Sequence, residues 1–107
     1  MVRIAVHYPR REGGHFDLDY YQTTHFELVR ELLGPRGLRA AVVEPGIDGP
    51  DGPAPYACIG ALYFDSVEAF GQAWAIGGDQ LVADIPNYTN IDPVIQIAEV
   101  REIGLSP

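Results

Sequence analysis

At 107 residues the chain has room for one domain, and with 47% apolar residues it can build a real core. Fifteen Asp and Glu face seven basic residues, all arginine; the net charge of −8 repels phosphate backbones and anionic membrane surfaces and argues against both as partners. A single cysteine, Cys58, excludes an intrachain disulfide, and no apolar run approaches the ~20 residues of a bilayer span.

The chain opens on strand-like alternation with early charges rather than a signal peptide, so the expected location is cytoplasmic. Val2, Ile4, Val6 and Tyr8 share one face of a first strand; Arg3, Ala5 and His7 share the other. Pro9 to Gly14 reads as a turn-rich connection. A helix is predicted from Asp17 to about Leu33. Asp17 is the N-cap, and Phe16 and Tyr21 stand at the spacing of a hydrophobic staple. Gly34 and Pro35 are the expected stop. Leu18, Tyr21, His25, Leu28, Val29 and Leu32 form one apolar stripe at helical spacing.

Leu38 to Glu44 is a second strand, and Pro45 to Pro55 is a loop crowded with Gly, Pro and Asp. Tyr56 to Phe64 is a third strand, apolar on both faces, which predicts cover on both sides. Asp65 to Glu68 resembles a capping box, opening a helix whose face carries Val67, Phe70 and Trp74. Gly77 and Gly78 are expected to interrupt it, with a shorter piece from Asp79 to Ile85. A loop follows from Pro86 to Asn90, then a last strand from Val94 to Ile103. This order is βαββαβ, the ferredoxin-like α+β arrangement: two helices on one face of a four-stranded antiparallel sheet. The uncovered apolar face would then call for a second copy of the chain.

His25 is the most informative residue. It lies one turn after Tyr21 on the stripe, where the pair can line a pocket between helix and sheet. Histidine exchanges a proton near neutral pH, and tyrosine can donate to a developing oxyanion. A packed core histidine beside a packed tyrosine fits the same spacing. His7 can face that pocket or a subunit interface. Trp74, with Phe70, suits either the core or the flat wall of an aromatic-binding cavity. Asn87 and Tyr88 sit in a loop that can fix a substrate oxygen, and Tyr63 is counted with His7, Trp74, Asn87 and Tyr88 as a candidate substrate contact. His15 reads as a surface residue. The histidines have no metal-ligand spacing. Phosphate-loop, dinucleotide, flavin, haem and Gly-x-Ser-x-Gly signatures are absent, so neither a cofactor nor a metal is expected.

The segment from His15 through Phe16, Asp17, Tyr20 and Tyr21 to His25 resembles the start of EthD-like proteins, the ethyl tert-butyl ether degradation family. Ala83 to Thr89, Pro93 to Ile97 and the Leu62–Asp65 junction resemble the rest of the pattern. The matching positions are Phe16, Asp17, Tyr21 and His25. Many members carry proline two residues after the helix histidine; here Glu27 stands there, on the side read as solvent-facing. The resemblance implies one domain over residues 1–107 and a homodimer of the dimeric α/β-barrel superfamily, with helices outside two packed sheets. It also implies a ligand-binding cleft between sheet and helices. Relatives in that superfamily include cofactor-free monooxygenases, polyketide cyclases, decarboxylases and a lactone isomerase. The expected activity is therefore His25-mediated proton transfer, aided by Tyr21, on a small aromatic or polyketide-like carbonyl compound. The alternative is a non-enzymatic protein that binds a small hydrophobic molecule or serves a redox partner protein in an oxidative degradation pathway, ether degradation being the family's namesake. A third reading is a structural dimer in which His25 is only core.

Overall fold

The computed structural model describes residues 1–104. Strand β1 (Val2–Pro9) leads to helix α1, which begins as Leu18–Tyr20, passes through a π-type turn at Tyr21–His25 and continues as Phe26–Leu33. Strands β2 (Ala40–Pro45) and β3 (Tyr56–Phe64), helix α2 (Val67–Asp84) and strand β4 (Val94–Glu99) complete the order. The sheet runs β2-β3-β1-β4 with every neighbouring pair antiparallel. This is the ferredoxin-like α+β arrangement.

Several local expectations hold for the physical reason given. The Asp17 carboxylate accepts from the backbone N–H of Tyr20 at 3.1 Å, so it is the N-cap. Phe16 packs edge-on against Tyr21, with centroids 4.9 Å apart, as the staple requires. Glu27 is exposed and pairs with Arg30.

Helix α1 stops at Leu33 with Gly34 as its C-cap, as expected; a 3-10 turn (Gly34–Arg36) follows, closed by Gly37 at φ 101°, a conformation that suits glycine. Other expectations are corrected. The cap of α2 is Ser66 rather than Asp65; its hydroxyl accepts from the Ala69 N–H at 3.1 Å. That one-residue shift puts Ala69 where a capping box needs Glu, and it frees Asp65 to hold Arg39 through two hydrogen bonds. Helix α2 also runs unbroken through Gly77 and Gly78. Each glycine costs about 1 kcal/mol of helix propensity, but both are buried. A methyl group on Gly77 would stand 2.9 Å from Leu32, and one on Gly78 would stand 2.6 Å from the Trp74 ring. The pair lets α2 approach α1 and lets Trp74 lie flat, which offsets the cost.

Strand β4 stops at Glu99, short of Ile103. Glu99 is opposite Val2, and the Val100 N–H takes the Met1 carbonyl at 3.0 Å.

The core has two parts. One is aliphatic and built on Ile4, Val29, Leu33, Leu62, Phe64, Ala73 and Leu81. The other is rich in hydroxyls and built on Tyr8, Tyr21, Cys58, Tyr88 and Ile91. Leu33, which the predicted stripe omitted, is completely buried. The π-type turn adds a residue to one coil of the helix, so the buried positions fall at Tyr21, His25, Val29 and Leu33.

Candidate functional site

The second core cluster exists because four short segments converge on it. Tyr8 comes from β1, Tyr21 from the π-type turn that also carries His25, Cys58 from β3, and Tyr88 from the chain leaving α2. The ends of the site are laced together by hydrogen bonds to backbone carbonyls. The Asp17 N–H donates to the Tyr88 carbonyl at 2.8 Å, and the Thr89 hydroxyl donates to the His15 carbonyl at 2.6 Å. The two sequence blocks around His15–His25 and Ala83–Thr89 are thus one piece of architecture.

Tyr21 and His25 are both buried, and their rings are nearly parallel with centroids 5.4 Å apart. The Tyr21 hydroxyl lies over Gly60 of β3, where an added Cβ would stand 1.9 Å from it. Only glycine admits that hydroxyl. The Tyr8 and Tyr88 hydroxyls share a 2.5 Å hydrogen bond, and the Tyr88 ring lies 4.7 Å from that of His25. Burial pushes the phenols of Tyr8, Tyr21 and Tyr88 above the ordinary tyrosine range, so all three are protonated donors at neutral pH.

His25 Nδ1 lies 2.9 Å from Asp84 Oδ2 at the end of α2. The Tyr20 hydroxyl donates to Asp84 Oδ1 at 2.7 Å, and the Asn87 amide donates to the same oxygen at 2.9 Å. Burial holds the His25 imidazole below its usual value, with the Asp84 carboxylate opposing but not overcoming it. The 2.9 Å contact is therefore a hydrogen bond of a neutral ring at neutral pH, although its geometry would also suit an ion pair. Burial of Asp84 works to raise its value, but the hydrogen bonds from Asn87, His25 and Tyr20 outweigh it and keep the carboxyl below the usual range.

Nε2 of His25 has no protein partner among the described residues. No fully buried side-chain N or O is left unpartnered there either, so Nε2 is open. The space His25 lines is a cavity of about 70 Å³ between helices and sheet. It is lined by the polar-tipped Tyr8, Tyr21, His25 and Tyr88 and by apolar groups that include Trp74, Val82 and Ile95.

Of the candidate contacts, the structure brings together Tyr21, His25, Trp74 and Tyr88. Asn87 is exposed and reaches the site only through Asp84. His7 and Tyr63 do not reach it. Both stand on the helix-free face of the sheet, in register with Ile59 and Arg3. His7 there bonds the Val94 carbonyl at 3.1 Å and packs on Tyr56. An extra residue in β3 opposite Tyr8–Pro9 turns Tyr56 toward it. The alternation that puts Val6 and Tyr8 on the helix side sends His7 to the other.

Sequence reasoning missed Tyr8, Tyr20, Gly60 and Asp84. Tyr8 was grouped with Val6 on one strand face, and Asp84 lay inside a block quoted for its resemblance. Their convergence on His25 is a contact between distant segments, which spacing does not reveal. Cys58 is fully buried, and burial pushes its thiol up to about 11, which makes it a packed thiol rather than a nucleophile. Among the described residues no three His, Cys, Asp or Glu side chains gather to hold a metal ion, and no helix is long and apolar enough to cross a membrane.

The EthD domain family model matches residues 16–92. The chain is similar to an EthD-like protein from Ralstonia eutropha JMP134, at 36% identity and a TM-score of 0.84, covering 92% of this chain and 89% of that one. It is also similar to an ethyl tert-butyl ether degradation family protein from Bacillus halodurans C-125, at 23% identity and a TM-score of 0.75, covering 94% and 99%. A putative antibiotic biosynthesis monooxygenase from Deinococcus radiodurans shares the fold at 17% identity and a TM-score of 0.55, with both chains covered in full. No curated protein matches the sequence. With more than half its length matched by the family model, this chain belongs to the EthD domain family.

Proposed function

We propose that the protein is a cofactor-free enzyme in which His25 moves a proton on a small aromatic or polyketide-like carbonyl compound. The observation that carries this reading is a neutral imidazole with an unpartnered Nε2, on a residue that lines a cavity together with protonated tyrosines. Nε2 takes a proton from the carbon beside the carbonyl, and the C–H electron pair moves onto the carbonyl oxygen. A tyrosine hydroxyl donates to that oxyanion. The enolate then attacks a second carbonyl in a cyclisation, or takes the proton back at another carbon in an isomerisation. In a decarboxylation Nε2 takes the carboxyl proton, carbon dioxide leaves as the electron pair of the breaking C–C bond moves onto the carbonyl oxygen, and His25 then returns that proton to carbon. Oxygenation is a variant in which dioxygen receives the carbanion's electrons.

The cavity sets the binding mode. At about 70 Å³ it holds roughly two waters, well below the ~300–1,000 Å³ of sites that enclose a drug-sized ligand. The carbonyl end enters, and the rest of the molecule lies across Val82 and Ile95, both more than half exposed.

A homodimer is part of the proposal. The helix-free face carries Ala5, Ala40, Ala61 and Ala98 among Val42, Ile59, Tyr63 and Val94, and the Arg3–Glu44 pair crosses it at 3.1 Å. Small side chains let a second sheet approach closely. This face is more mixed than the wholly apolar one expected, so the interface has a polar component. A monomer in sedimentation velocity at micromolar concentration would remove the second copy from the proposal.

The alternative, a ligand-binding or accessory protein, draws on the small cavity and on an acidic surface that suits docking to a basic redox partner. One experiment separates the two. Aromatic and polyketide carbonyl compounds are screened by the fluorescence of Trp74, the chain's single tryptophan and a cavity wall, and hits are assayed for turnover. The enzyme reading expects turnover that falls at least ~10²-fold in His25→Gln. Binding without turnover favours the alternative; full turnover in His25→Gln ends the proton-transfer reading.

A further inference from the structure

We infer that Asp84 is a positioning residue that holds His25 in the tautomer with its proton on Nδ1, so that the lone pair of Nε2 faces the cavity. This rests on the proton-transfer reading and adds to it a residue that never touches the substrate.

The argument begins with donors and acceptors. Asp84 Oδ1 takes hydrogen bonds from the Tyr20 hydroxyl at 2.7 Å and the Asn87 amide at 2.9 Å. An ionised carboxylate only accepts. Its second oxygen therefore requires a donor, and the atom facing it at 2.9 Å is His25 Nδ1. A neutral imidazole carries one ring proton. With that proton on Nδ1, Nε2 is bare, as a general base must be.

The carboxylate's place in the fold is not explained by the helix dipole or by an arginine partner. Asp84 is the last residue of α2, where the negative end of the helix dipole disfavours a negative charge. Nor is it neutralised by arginine. Among the described residues, the arginine ion pairs go to Glu44, Asp48, Glu27, Asp65 and Glu99. Asp84 instead draws its donors from three places: Tyr20 at the start of α1, His25 in the π-type turn, and Asn87 one turn beyond its own position. The groups around His25 are Asp84 at Nδ1, Tyr21 stacked on one side and Tyr88 tilted against it. Asp84 is the one among them that selects a tautomer. The π-type turn completes the device by setting Tyr21 and His25 almost parallel, with an interplanar angle of 11°.

The test reads the imidazole directly. In the full-length protein labelled with ¹⁵N, long-range proton–nitrogen correlations above pH 7 report which ring nitrogen carries the proton. His25→Gln identifies the His25 signals among the three histidines. Wild-type protein is expected to show Nδ1–H and a bare Nε2. In Asp84→Asn, whose amide both donates and accepts, the Nε2–H form should become populated. A wild-type ring protonated on Nε2 overturns the inference without any variant, so a folding failure in Asp84→Asn leaves it testable. An unchanged tautomer in folded Asp84→Asn overturns it too. Where a substrate is in hand, Asp84→Asn should lower kcat by about 10²- to 10⁴-fold with KM little changed. The acid limb of its pH profile should move to lower pH, because the carboxylate no longer supports the imidazolium. An unaltered kcat overturns the positioning role. The tautomer measurement needs no substrate, so it can succeed where no turnover is found, and the two readings fail separately.

Discussion

The two halves of the core are made of different material. Around Ile4, Leu33, Leu62 and Phe64 the packing is aliphatic and aromatic carbon, with no hydroxyl among the buried residues. Around Tyr8, Tyr21 and Tyr88 it is equally buried but lined with phenols, and Tyr8 and Tyr88 satisfy one another. The same sheet face carries both, since Ile4 and Tyr8 lie on one side of β1. The aliphatic half gains its stability from area removed from water, which is indifferent to chemistry. The phenolic half must keep every polar group partnered, and it leaves an open nitrogen in a small void. On the proposed reading that nitrogen is the working atom.

Substitutions can break that division. The largest effect is expected from Phe64→Ala in the aliphatic half, where the side chain is completely buried. Urea denaturation should show a loss of about 3–5 kcal/mol, while ligand binding by the folded fraction, read from Trp74, stays as in wild type. A loss below about 1 kcal/mol, or folded protein that no longer binds, would erase the distinction. Gly60→Ala probes the other half. The new methyl would stand 1.9 Å from the Tyr21 hydroxyl, so Tyr21 must move. The expected stability cost is about 1–3 kcal/mol, smaller than for Phe64, but ligand binding should be lost. Retained binding would show that the Tyr21 position does not shape the cavity.

Acid gives the smallest and most specific effect. Burial keeps the His25 value below the 6.5 of a free imidazole, so the unfolded chain takes up this proton before the folded one does. Its contribution to stability is complete above that value and fades as pH falls through the lowered one. Asp84 behaves likewise at lower pH, its contribution persisting until the pH drops under the ordinary 3.8. Denaturation midpoints should hold steady from pH 8 to 7 and decline below about 6.5, with the first decline missing in His25→Gln. Midpoints that rise on acidification from pH 7 to 5 would show that folding favours the protonated ring.

Much of the fold was legible because its signals are local. Alternation located the strands, Asp17 and Phe16–Tyr21 marked the start of α1, and the order of elements gave the topology. The misjudged points were those where local preference met a tertiary partner. Gly77 and Gly78 weaken a helix in isolation, but the approach of Leu32 and the Trp74 ring makes them the residues that fit. The candidate site was half legible. Spacing put His25 beside Tyr21 and grouped Tyr8 with Ile4 and Val6 on one face of β1, but alternation does not say which face meets the helices, so His7 stayed open to the pocket or to an interface.

The sequence by itself determined which residues share a face, since strand and helix periods are properties of the backbone. Tertiary structure alone decided what those faces meet. Asp84 and His25 are 59 positions apart, and their meeting depends on how α2 lies across α1 and where its last turn ends. That geometry is the sum of many packing contacts, and no short stretch of sequence encodes it.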